Sequence, residues 1–128
     1  MVNNNNTNLN YLTEKIIGSA FEVSNVLGCG FLEKVYERAL VEELIAAGLK
    51  VQAQYPITVV YKGKTVGNFF ADILVEQRIL VELKALNYLD NNHKAQCLNY
   101  LKASKLNLCL LINFGKPKVE IKRIIYNS

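Results

Sequence analysis

The stretch Phe70-Ala71-Asp72-Ile73-Leu74-Val75-Glu76-Gln77-Arg78-Ile79-Leu80-Val81-Glu82-Leu83-Lys84-Ala85 decides the fold. It reads as two strands, the ends of 65–75 and 79–85, around a tight turn near Glu76 and Gln77. Asp72 sits among large apolar residues with no polar alternation, as in a strand buried on both faces. In the second strand, alternation puts Leu80, Glu82 and Lys84 on one face and Ile79, Val81 and Leu83 on the other. Charged side chains are rarely buried unless paired, so three of them inside adjoining core-like strands call for a cause. Two carboxylates within about 4 Å repel by about 4 kcal/mol at an effective dielectric near 20. One lysine leaves such a pair net negative, and a divalent cation such as Mg²⁺ would balance it. A strand with one wet face and a Glu–Lys pair is the plainer alternative.

The metal reading fixes the register of this hairpin. Directly opposite residues of an antiparallel pair share a face, and a slip of one residue reverses it. A two-residue loop at Glu76-Gln77 pairs Val75 with Arg78 and sets Asp72 against Val81. A three-residue loop, Glu76-Gln77-Arg78, pairs Val75 with Ile79 and sets Asp72 against Glu82. The second register is required, although no glycine is present for a left-handed position and Gln77 or Arg78 would carry the strain.

Working outward, 51–61 is β-branched and aromatic, and Lys62-Gly63-Lys64 turns it into the strand from Thr65. Upstream, Leu12, Ile16, Ile17, Ala20, Phe21, Val23 and Leu27 recur at helical intervals, with Thr13 as a cap and Gly28-Cys29-Gly30 as the break. A second helix over 31–47 carries Leu32, Val35, Tyr36, Ala39, Leu40, Leu44 and Ala47 as its apolar stripe, closed by Gly48. Downstream, Asp90 caps a helix over 91–104, 106–114 is a buried strand, and 119–126 is a final strand. The order ααβββαββ fits an α/β or α+β sandwich. Residues 1–10, Asn-rich and without apolar period, read as a flexible arm, and residues 11–128 as one domain.

With 51% apolar residues, 128 residues suffice for a core. No run reaches the roughly 20 apolar residues of a membrane span, and no signal peptide is evident. A cytoplasmic protein without membrane association is expected. Cys29, Cys97 and Cys109 are too scattered, beside a single histidine, for structural zinc. The net charge of +4 permits a polyanionic partner without demanding one.

The segment Gly30-Phe31-Leu32-Glu33-Lys34-Val35-Tyr36 has the form GxxExxY. Together with Asp72, Glu82-Leu83-Lys84 and Gln96 it resembles the GxxExxY protein family, assigned to the PD-(D/E)XK nuclease superfamily. The likeness runs from about Leu12 to Ile125. It implies a restriction-endonuclease-like αβββαβ core with a mixed sheet flanked by helices. It further implies Asp72 and Glu82 as metal ligands, Lys84 as catalytic lysine and Glu33 as an added acid. Gln96 and Tyr100 resemble the Gln-xxx-Tyr pair of RecB-type nucleases. Departures at Ser24, Cys29, Gln77 and Lys94 leave those residues untouched. His93, Gln96 and Tyr100 share one helix face, with Leu98 and Leu101 read as opposite.

The expected function is therefore a Mg²⁺-dependent nuclease, Mn²⁺ serving as well, that cleaves nucleic acid, DNA first. The rival reading is a catalytically silent nuclease-fold module that binds nucleic acid or a protein. A third is a dimerising structural protein, for which an exposed apolar patch without an acidic cleft would speak. So small a chain has little surface to grip a duplex, which leaves room for a homodimer or a larger partner.

Overall fold

The computed structural model describes residues 5–127. Two helices, α1 (Asn5–Leu27) and α2 (Glu33–Ala46), precede three strands, β1 (Val51–Tyr61), β2 (Lys64–Val75) and β3 (Ile79–Lys84). Helix α3 (Asn91–Ser104) leads to β4 (Leu108–Asn113) and β5 (Glu120–Ile125). The strands form one sheet in the order β1-β2-β3-β4-β5. Only β3 and β4 are parallel, joined through α3 as a crossover; the other neighbours are antiparallel. This is the expected mixed sheet flanked by helices.

Each sheet face has its own core. Ile73, Val75, Ile79, Val81, Leu83, Leu110 and Ile112 pack on Ile16, Ala20, Tyr36, Leu40 and Leu44 of α1 and α2. On the other face Leu74, Leu80, Cys109 and Leu111 pack on Cys97 and Leu101 of α3. Burial on both faces explains why β3 and β4 read as continuous apolar runs.

The helix starts differ from expectation. Residues 5–10, read as part of a flexible arm, belong to α1, because Leu9 and Leu12 continue its apolar period onto the core; residues 1–4 of that arm lie outside the described residues. Thr13 is not a cap: it is buried within α1 and its hydroxyl donates to the Leu9 carbonyl, 2.8 Å. Helix α2 begins at Glu33, and Leu32 and Val35 are exposed rather than part of its stripe. The buried stripe is Tyr36, Glu37, Leu40 and Leu44. Leu101 of α3 is likewise core, in the cluster that Tyr100 packs against.

Tyr36 shows what the tyrosine of GxxExxY does here. Its ring stacks on Phe114 with centroids 4.7 Å apart. Its hydroxyl donates to the Gly28 carbonyl at 2.7 Å and accepts from the Phe31 amide at 3.2 Å. The α1–α2 connection, which turns through Gly28 at φ 70° and Gly30 at φ 115°, is thereby pinned to the core.

Two backbone features place the chemistry. Val75 pairs with Ile79, Leu74 with Leu80 and Ile73 with Val81, so the loop has three residues. Its left-handed positions are Glu76 (φ 52°) and Gln77 (φ 56°), not Arg78. Glu76 is held there by Lys50, just ahead of β1: its amide donates to the Lys50 carbonyl (2.8 Å), and its Oε2 accepts from the Lys50 amide (2.6 Å). Further along β1, Gln54 is also left-handed, at φ 56°. There the odd-numbered side chains change sides: Val51 lies with the α1–α2 core, Tyr55 and Ile57 with the α3 core. Strand β2 turns over in step, between Ile73 and Ala71. Asp72 sits at that crossover, where β2 leaves β3 and runs on paired to β1 alone.

Candidate active site

Beyond Ile73–Val81, side chains take over from the β2–β3 ladder. Glu82 Oε1 accepts from the Asp72 amide at 3.0 Å, and Asp72 Oδ2 accepts from the Leu83 amide at 2.8 Å. Each carboxyl thus binds the backbone of the other's strand, which fixes both rotamers. The two carboxyls also lie within electrostatic reach of each other. Burial first, then the neighbouring Asp72, pushes the Glu82 carboxyl up to about 9. Burial also raises Asp72, against the lowering effect of the Leu83 amide. Two acids this close and this dry favour holding a proton between them when no cation is bound.

Lys84 lies one pleat further along β3, and its Nζ donates to Gln96 Oε1 on α3 at 3.3 Å. Tyr100, one helical turn on, has its hydroxyl raised by burial and then by the Glu82 and Asp72 charges, so it faces the same pocket. Glu33 enters from the first turn of α2. Burial raises its carboxyl, Lys84 lowers it and Asp72 raises it, which puts Glu33 within electrostatic reach of both. Asp72, Glu82, Lys84, Gln96, Tyr100 and Glu33 therefore lie around one corner of the sheet. His93 serves locally: it accepts from the Asp90 amide at 2.9 Å, while Asp90 accepts from the Asn92 and His93 amides. That is a capping box.

Three residues that shape the site were given no role in it by the sequence. Glu37 is 7% exposed, salt-bridged to Lys34 at 3.2 Å and bonded to Gln54 Nε2 at 3.0 Å, and its charge raises both Asp72 and Glu33. Its helical phase, one turn after Glu33, was the available signal. Asn113, opposite Lys84 in the parallel ladder, accepts from the Leu86 and Gly115 amides and donates to the Leu86 carbonyl. It holds the chain as it leaves Lys84. Gly115 makes that close approach feasible, since a Cβ there would stand 2.2 Å from the Leu86 carbonyl oxygen. Among the described residues, no group of three His, Cys, Asp or Glu side chains is close enough to hold a metal ion by itself. A metal here would rest on the Asp72–Glu82 pair, with water or substrate completing its shell.

Comparison with known proteins bears on the fold and the family. No curated protein matches the chain in sequence. Among solved structures, the crystal structure of SSO0001 superposes with a TM-score of 0.58 at 16% identity, over 74% of this chain and 50% of that one. An alkaline exonuclease (LHK-Exo) from Laribacter hongkongensis superposes with a TM-score of 0.53 at 16% identity, over 73% of this chain and 56% of that one. The chain thus spans about half the length of each, and the likeness is one of fold. The profile of the PD-(D/E)XK nuclease superfamily matches residues 10–124, nearly the whole chain. On that match, and with an Asp and a Glu-x-Lys brought together on adjoining strands, the chain belongs to the PD-(D/E)XK nuclease superfamily.

Proposed function

We propose that this protein is a divalent-metal-dependent nuclease, with DNA as the expected substrate. One observation carries the reading: Asp72 and Glu82 meet where β2 and β3 part, with Lys84 one pleat beyond, at a corner of the sheet within reach of Glu33 on α2 and Gln96 on α3. Nucleases of this superfamily generally use divalent metals such as Mg²⁺ or Mn²⁺, and the donor set fits one. Once both are ionised, the two carboxylates carry two charges that Lys84 alone cannot balance, and their lone pairs suit a hard cation. Asp72 and Glu82 would hold the metal, with Glu33 as an added acid. When bound, such an ion supplies Lewis acidity toward a phosphate oxygen and a water of lowered pKa. Lys84, steadied by Gln96, donates to the attacking water or to the charge growing on the phosphorane. Tyr100 offers a phenolic hydrogen bond to the same phosphate.

The experiment is a cleavage screen with Mg²⁺ and Mn²⁺ on single-stranded and duplex DNA and on RNA, with Asp72→Asn beside the wild type. Metal-dependent cleavage lost in the variant supports the reading. A second reading, a silent nuclease-fold module, draws on the lack of three converging ligand side chains among the described residues. It would be supported by nucleic-acid binding without cleavage under any metal.

A further inference from the structure

Strands β1 and β2 run well past β3. The stretch 64–71 of β2 has no strand partner but β1, so the two form an arm that projects from the sheet. Between this arm and α3 lies a cleft of about 720 Å³. Val59, Val60 and Phe69 line one wall and Gln96, Tyr100 and Lys102 the other. Phe69 is 45% exposed, and its ring lies 5.8 Å from that of Tyr100, tilted by 41°.

The charge on both walls is of one sign. The arm from Val51 to Ala71 contains no Asp or Glu and carries Lys62 and Lys64 at its tip. Helix α3 with its C-cap contains none either, and carries Lys94, Lys102 and Lys105. The chain's 11 acidic residues all lie elsewhere. The cleft adjoins the candidate site through Gln96, which lines it and holds Lys84, and through Tyr100, which lines it within electrostatic reach of Glu82.

We propose that this cleft binds a single-stranded segment of nucleic acid and feeds its backbone to Asp72, Glu82 and Lys84. The proposal rests on the nuclease reading for what happens at the end of the cleft, but not for binding in it. Aromatic faces open to solvent gain from unpaired bases, which have free faces to stack; bases within a duplex do not. Phe69 and Tyr100 provide the stacking platform, and Lys102 and Lys105 the phosphate contacts. Asn92 and Asn99, also in the lining, offer amides to base edges. That mixture tolerates many sequences and discriminates by strandedness.

Fluorescence anisotropy of a labelled oligonucleotide, with chelator present, tests binding apart from cleavage. We expect the wild type and Asp72→Asn to bind single strand at least tenfold more tightly than the matching duplex. Phe69→Ala should weaken single-strand binding by about tenfold, in the range of one lost base stack. Lys102→Ala with Lys105→Ala should flatten the log–log salt dependence by about 0.7 per lysine. Thermal unfolding confirms that each variant folds. Equal affinity for both forms, or Phe69→Ala binding like wild type, overturns the proposal. So does a concentration-dependent dimer that Phe69→Ala abolishes while single-strand binding is unchanged, since the aromatic wall would then be a self-association face. Tight single-strand binding without cleavage under any metal leaves the cleft standing and removes the nuclease reading. Cleavage indifferent to Phe69→Ala and to strandedness does the reverse.

Discussion

At Glu82 the local chemistry conflicts with folding. The residue is 4% exposed, and burial with the neighbouring Asp72 pushes its carboxyl up to about 9 from an ordinary value of 4.5. Between those values the folded chain keeps a proton that the unfolded chain releases, so this group's contribution to stability falls as pH rises. With chelator present, the melting temperature should drop as pH rises from about 5 to about 9, and Glu82→Gln should flatten that slope. Thermal unfolding at stepped pH checks it; an equally steep slope in the variant would remove Glu82 as its source. Lys84 calls for a different experiment. Its Nζ has Gln96 as hydrogen-bond partner, so Lys84→Ala should lose cleavage by 10²-fold or more while keeping its melting temperature and its Mn²⁺ affinity by calorimetry. Wild-type turnover in that variant would leave Lys84 a structural charge.

At the scale of elements, two connections hold the site in shape. The first is the exit of β3, where Asn113 bonds both backbone groups of Leu86. Asn113→Leu would strand those groups in a buried setting and should cost about 3 kcal/mol of stability. Urea unfolding measures this, and a loss under about 0.5 kcal/mol would show that the bonds are replaceable. The second is the α1–α2 connection, tied by the Tyr36 hydroxyl to Gly28 and Phe31. Tyr36→Phe keeps the stack on Phe114 and removes both bonds, so it should cost about 1–2 kcal/mol. Since α2 starts just beyond this tie and presents Glu33, any cleavage should fall as well. Unchanged stability would mean that water satisfies the connection instead.

For the molecule as a whole, the sheet has a rigid centre and a projecting arm. β3 and β4 are covered on both faces, whereas the arm from Thr58 to Asn68 is largely exposed. Replacing residues 58–68 with an Asn-Gly turn should therefore leave cooperative unfolding and Mn²⁺ binding near wild type. Single-strand affinity should fall by more than tenfold, because one wall of the cleft is gone. If the truncated chain lost metal binding too, arm and site would be one cooperative unit rather than two. No helix among the described residues is long and apolar enough to cross a membrane.

The sequence by itself determined the elements and the chemistry on them. Alternation of charged and apolar residues settled which side of β3 carries Glu82 and Lys84, since strand period leaves no other choice. Unbroken apolar runs marked the strands buried on both faces, and Asp90 announced the start of α3. What it left open was decided by contacts between distant segments. Glu76 adopts a left-handed backbone because Lys50, far off in sequence, bonds to it; that bond helps fix the three-residue loop, and hence whether Asp72 and Glu82 meet. Gln54 turns over β1 beside Asp72, and no local pattern forecasts such a crossover. Glu37 and Asn113 drew no role from the sequence, and packing buried them and gave them partners. Nor could the sequence bring Phe69 of the arm against Tyr100 of α3. Periodicity is written along the chain, whereas register, partnership and the walls of a cleft come into being only when separate segments pack together.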